Sequence, residues 1–230
     1  MFKYLDSIND EFPELIMGKA TTPAADHLLS VRDADKAKYL QEEKSVSFHH
    51  TTAQFLFLIS RASRDIQTAI SLLTARFKKP DEDDWGKHKK SLKYLNGTRR
   101  LKLTLIIDSI GVIKFFVDGS HNTHWDFNGH GGAMMLMGCG AISSYSQRIK
   151  VNTSSSTETK LVLVYAYMPE VLWSLYFIQA QGYGVKYARI HQYNVSAQML
   201  ETNQKFSSSR KTNHIKEKFF FIDSVLDSYE

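Results

Sequence analysis

Val112-Ile113-Lys114-Phe115-Phe116-Val117-Asp118 decides how the rest of the chain is read. Its β-branched and aromatic residues suit a pleated, half-buried strand. Downstream, residues 133–137 and 142–146 predict two more strands, joined by a turn at Gly138-Cys139-Gly140. A long apolar stretch over 157–179 predicts a helix, 185–191 a short strand, and 194–202 and 211–227 two further helices. Strands followed by a helix, a strand and helices place this part of the chain in the α/β class.

Upstream, Leu101, Leu103 and Leu105 alternate with Lys102 and Thr104, which predicts another strand. Before it, Phe55, Leu58, Ile59, Ala62, Ile66, Ala69, Ile70, Leu73 and Phe77 recur at spacings of three and four. That period predicts a single amphipathic helix, stopped by Pro80. Asp81, Glu82, Asp83 and Asp84 bring negative charge to the start of the next helix, where the helix dipole favours it. Trp85, Leu92 and Leu95 mark its apolar face, and Gly97 suits its C-terminal cap. A helical hairpin over 50–97 follows, with a basic outer face made by Lys87, Lys89, Lys90 and Lys93. Residues 1–47 are polar and weakly patterned, broken at Thr21-Thr22-Pro23. They read as a linker or weakly structured segment with one or two short helices. The predicted organisation is therefore 1–47, 48–100 and 101–230.

The 230 residues carry a net charge of +5, with 43% hydrophobic and 23% charged side chains, as in an ordinary globular protein. The charge is clustered: between Arg76 and Lys102 ten Lys or Arg face four acids, and between Lys205 and Lys218 five face one. Such clusters fit a polyanion, because phosphates neutralised by cations release counterions. The candidate nucleic-acid contacts are Lys87, Lys89, Lys90, Lys93, Arg99, Arg100, Arg210, Lys211 and His214. Solvated helix faces carry the same residue types. One cysteine, Cys139, excludes an internal disulfide and suits a reducing compartment. The first residues have no signal-peptide pattern, and no apolar run approaches the ~20 residues that span a bilayer. These features predict a soluble intracellular chain, in cytoplasm or nucleus, with no membrane partner.

Four motifs, in order, add a family resemblance. Arg64-Asp65-Ile66 with Ala69-Ile70-Ser71-Leu72-Leu73 resembles "R-P-D-I…A-V-S-L-L" of copia-type retrotransposon polyproteins. Trp85 with Leu92-Lys93-Tyr94-Leu95-Asn96-Gly97-Thr98 is similar to "W…L-K-Y-L-K-G-T", and Ser154-Ser155-Ser156-Thr157-Glu158 to "S-S-T-E". Arg210-Lys211-Thr212-Asn213-His214-Ile215, with Phe219-Phe220-Phe221-Ile222, resembles "R-T-K-H-I…Y-H-F-I". The matches cover about residues 50–225. The resemblance implies the end of a reverse transcriptase followed by an RNase H-like domain, a mixed sheet with flanking helices. It also implies that the fold is incomplete, with a last strand and helix beyond residue 230. The Tyr-x-Asp-Asp motif of the polymerase is absent, and Asp83-Asp84 opens a helix instead of a strand hairpin.

In that family RNA is cut within RNA–DNA hybrids by two divalent ions about 3.5–4 Å apart. Mg2+ is the expected ion, held by carboxylates and water. The resemblance puts the three carboxylates at Asp118, at the position of Lys160 and at the position of Tyr193, so Asp118 is the one that remains. Lys160 is predicted to pair with Asp118 in place of the metals, opposite charges at ~4 Å attracting by about 4 kcal/mol at an effective dielectric near 20. The expectation is an inactive site with no bound metal. Alternatives are a non-enzymatic module that holds nucleic acid, or a transposon remnant without function; other reverse transcriptase segments are possible partners. Glu158, about 200° from Lys160 around a helix, reads as a first-turn residue beside a Ser155, Ser156 or Thr157 cap. Asp126 reads as a solvated loop acid. His121, His124 and His130 lack the companion ligands of a structural zinc site and read as loop histidines.

Overall fold

The computed structural model describes residues 1–30, 35–108 and 111–203. Arg210, Lys211, His214, the helix expected over 211–227 and the Phe219-Phe220-Phe221 run lie outside the described residues. The chain divides into two compact units, Met1–Leu103 and Thr104–Glu230.

The first unit is helical: α1 (Phe2–Glu11), α2 (Glu42–Arg61), α3 (Gln67–Thr74) and α4 (Glu82–Gly97). Its core holds Ile8, Phe48, Phe55, Ile66, Ile70, Leu73, Trp85 and Leu92. The amino-terminal stretch, expected as a linker, supplies part of this core. Leu5, Ile8 and Phe12 fall at i, i+3 and i+7 and are all buried, and the Phe12 ring stacks on Trp85 at 4.8 Å. Three apolar side chains on one face suffice to anchor a helix of otherwise polar composition. α2 starts before residue 48, and the long helix expected through Phe77 is interrupted. Ala62 and Ser63 leave helical geometry, and a 3-10 turn, Arg64–Ile66, precedes α3. The Tyr94 hydroxyl fixes that turn by donating to Asp65 Oδ2 at 2.5 Å. The spacing of three is shared by 3-10 and α geometry, so the apolar period runs across the break unchanged.

α4 begins as its acids predict. Asp81 Oδ1 accepts from the N–H groups of Asp83 and Asp84, both at 2.9 Å, and Asp84 Oδ2 accepts from Asp81 N–H at 3.1 Å. This reciprocal box satisfies donors that a helix start leaves open. The helix runs through Gly97 and is capped one residue later, by Thr98 N–H to Tyr94 O.

The second unit is mixed α/β. β2 (Val112–Ser120), β3 (His130–Leu136), β5 (Ala141–Arg148) and β6 (Tyr187–His191) form one sheet in the order β5-β3-β2-β6. β2–β3 and β3–β5 are antiparallel, and β2–β6 is parallel. A second, two-stranded sheet pairs β1 (Ile106–Ile107) with β4 (Gly138–Cys139). The strand expected over Leu101–Leu105 is therefore displaced to β1. Leu101 and Leu105 are exposed, so their alternation has no buried face to serve. Gly138 and Cys139, expected as a turn, form β4.

α5 (Ser156–Ala180) crosses between β5 and β6 and packs on β2, and α6 (Val195–Asn203) packs on α5. Leu161, Leu163, Val164 and Met168 meet Val117 and Ala133. Two glycines make the approach possible: a Cβ on Gly119 or Gly131 would lie 2.3 or 2.1 Å from Leu163 methyl carbons. By length and composition α5 is apolar enough to cross a membrane, contrary to the expectation that no such run exists. Half of that stretch is buried inside the protein.

Candidate functional site

The end of β2 and the start of α5 build the site. β6 pairs with β2 as far as Phe116↔His191, so Asp118 lies just past the end of the parallel pair. Crevices outside the carboxyl ends of parallel strands are the usual binding positions in α/β sheets. The alternation of β2 sends Ile113, Phe115 and Val117 into the core and leaves Asp118 on the surface.

Lys160 Nζ lies 2.8 Å from Asp118 Oδ1. The predicted ion pair is present, with one difference in energetics. The Asp118 side chain is 67% exposed, against 15% for Lys160. Solvent therefore screens the pair, and its worth is about 0.2–1 kcal/mol, below the ~4 kcal/mol of bare attraction. Lys160 is the fifth residue of α5, and a cation close to a helix N-terminus opposes the helix dipole. Asp118 offsets that opposition.

Glu158 is only 2% exposed and is committed elsewhere. Its Oε2 accepts from Ser154 N–H and Ser154 Oγ, both at 2.5 Å, while Ser155 Oγ caps the helix by accepting from Glu158 N–H at 3.2 Å. Tyr193 is 78% exposed and offers a phenol. Beside it, Asn194 Oδ1 caps α6 by accepting from Ala197 N–H at 2.9 Å. One exposed carboxylate, a phenol and an ammonium do not fit a pair of Mg2+ ions, which need several converging carboxylates.

The three histidines separate by role. His124 Nε2 is 3.1 Å from His130 Nδ1, and His130 Nε2 is 2.8 Å from Ser146 Oγ. Burial, then the neighbouring His124, pushes the His130 pKa down to about 4, and burial followed by Arg148 lowers His124. Both rings are neutral at pH 7 and act as a hydrogen-bond chain between loop and sheet, so His124 is a buried residue and not a solvated loop histidine. His121 joins a separate hydroxyl cluster, with Nδ1 3.1 Å from Thr153 Oγ1. Asp126 pairs with Arg148 and accepts from Asn128 Nδ2 at 2.9 Å. Burial raises its pKa, but the Asn128 bonds and Arg148 outweigh that and hold it low. Among the described residues no group of three or more His, Cys, Asp or Glu is placed to hold a metal ion.

The basic face expected on α4 is largely consumed within the helical unit. Lys87 is buried, its ammonium donating to Ser30 O at 2.7 Å and pairing with Asp83 at 3.0 Å. Lys89 pairs with Glu14 at 2.9 Å, and Arg99 pairs with Asp6. Among the described residues, the partly buried Lys90 and Lys93 and the exposed Arg100 form no ion pair. For Lys89 and Arg99 the sequence concealed this because the partner acids, Glu14 and Asp6, lie 75 and 93 positions away in the stretch that read as linker. Also missed was the stacking of Phe116 on His191, with centroids 4.5 Å apart, which lies on the sheet face away from α5. Only strand register brings those two rings together.

Comparison with family models, with curated proteins and with solved structures returned no match.

Proposed function

We propose that this chain descends from the reverse transcriptase–RNase H region of a copia-type polyprotein, that hydrolysis has been lost, and that its remaining capacity is to hold nucleic acid without cutting it. The Asp118–Lys160 ion pair carries this reading. It occupies the place where the family resemblance puts two metal-binding carboxylates, and its lysine sets a positive charge where the second carboxylate would stand. The sheet supports the ancestry: three antiparallel neighbours, then a long helix, then a strand parallel to the first. The RNase H-like fold, an intracellular location and an RNA–DNA hybrid as ligand belong to the same proposal.

The test uses the purified chain with a labelled RNA–DNA hybrid, in Mg2+ and then in Mn2+, beside an Asp118→Asn variant. The expected result is no cleavage by any of them. Cleavage by the native chain that disappears in the variant would overturn the loss of hydrolysis. Affinity for the same hybrid should fall steeply as salt rises, since it rests on cations such as Lys90, Lys93 and Arg100. No binding at low salt would leave a remnant without function.

A further inference from the structure

The helical unit holds a cavity of about 630 Å³ between α1, the end of α2 and the segment that follows α4. Ligand pockets span about 300–1,000 Å³ and combine an apolar lining with a few placed polar groups. Buried Leu58 and Leu95, with exposed Phe2, Leu101 and Leu103, supply the apolar lining. The charged lining is lopsided, Arg64, Arg99, Arg100 and Lys102 against Asp65. Asp65 is engaged by the Tyr94 hydroxyl and Arg99 by Asp6. Among the described residues the exposed Arg100 and Lys102 form no ion pair. Arg100-Leu101-Lys102-Leu103 lies outside every described strand, so its alternation of cation and leucine is left to line the cavity.

We propose that this cavity binds a small amphipathic anion, an alkyl chain that ends in a carboxylate. The chain lies against Leu58, Leu95, Leu101 and Leu103, and the carboxylate meets Arg100 and Lys102. Burial of the exposed leucines supplies the driving force, because apolar surface leaves water. The cations select the sign of the head group and hold it by charge-assisted hydrogen bonds. An amphipath with a cationic head would be repelled by the same groups. A short anion without an alkyl chain would leave the leucines in water. The inference is independent of the nucleic-acid reading above, which needs the charge and makes no use of the leucines.

The experiment titrates the full chain with dodecanoate by isothermal calorimetry, below the concentration at which dodecanoate forms micelles. Dodecyltrimethylammonium and acetate serve as controls for head-group sign and for the alkyl chain. The expected result is one dodecanoate per chain and no saturable heat from either control. Arg100→Gln with Lys102→Gln should weaken dodecanoate binding about tenfold, the low end for hydrogen bonds to a charged group. Leu101→Asn with Leu103→Asn should abolish it. All four side chains are exposed, so circular dichroism should show both variants folded as the native chain is. Absence of saturable dodecanoate binding would overturn the proposal, as would equal binding of dodecyltrimethylammonium. Unchanged affinity in either variant would also overturn it, by placing the ligand on another surface.

Discussion

His88 is fully buried among Phe48, Phe55, Phe12 and Trp85, with ring centroids 4.8–6.1 Å away. Thr52 Oγ1 lies 3.2 Å from its Nε2. Burial pushes its pKa from 6.5 down to about 3. The folded helical unit therefore refuses a proton that the unfolded chain accepts once the pH falls below 6.5. Stability is complete above that value and declines as the pH drops, until the folded-state pKa is reached. At 1.36 kcal/mol per pKa unit the loss is about 2 kcal/mol at pH 5 and about 4 kcal/mol at pH 3, where the folded-state ring is half protonated. Other groups contribute to the raw profile. Glu14, held low chiefly by its hydrogen bond from Lys89, adds to the loss, whereas Asp84, raised by burial, opposes it. The difference between the native chain and His88→Leu isolates the histidine. Thr52 keeps its bond to Phe48 O at 2.7 Å in the variant, so no hydroxyl is orphaned. Urea denaturation at pH 7 and pH 5, followed by the fluorescence of the buried Trp85, measures the two losses. Equal losses in both proteins would refute the assignment to His88.

Gly131→Ala sets a methyl 2.1 Å from Leu163 Cδ2 and should cost about 1–3 kcal/mol, read as a lowered midpoint in thermal denaturation. Leu163→Ala in the same chain should relieve the clash but leave the cost of lost packing. Asp81→Ala removes the cap of α4 and should destabilise the helical unit by about 0.5–2 kcal/mol in urea titration. Lys160→Glu with Tyr193→Asp should create a Mg2+ site detectable by calorimetry, with no comparable heat from the native chain. Equal binding by both would refute the role given to Lys160.

How much of this was legible depends on whether a feature is local. The strands beginning at Val112 and near Ala133 and Ile142, and the long helix after Ser155, were readable because each is a local run, of β-branched and aromatic residues in the first strand and of unbroken apolar residues in the helix. The Asp81 cap was signalled by four consecutive acids. The break after Arg61 left no trace, because neither Gly nor Pro marks it and Asp65 is fixed by Tyr94, 29 positions away. The strand expected at Leu101 failed for the opposite reason: alternation predicts a strand only where one face finds a partner. At the site, Asp118 and Lys160 came from the family resemblance. Their separation, and the solvent exposure that limits the pair's energy, required the sheet and helix to be placed.

On the proposed ancestry, the chemistry of the pair also bears on how such a fold would survive without ions. Carboxylates crowded at one point repel one another, and bound divalent cations normally compensate that repulsion. A chain that lost its metals but kept the acids would carry an uncompensated cluster at the end of its sheet. Lys160 removes the conflict by adding one positive charge and withholding one negative charge at the same position. The Asp118–Lys160 junction is then neutral by itself, and Glu158 is engaged separately, accepting from Ser154 N–H and Oγ. Folding of this unit should therefore be indifferent to divalent ions: on the proposed reading, the substitution that ends hydrolysis also frees the fold from its dependence on metal.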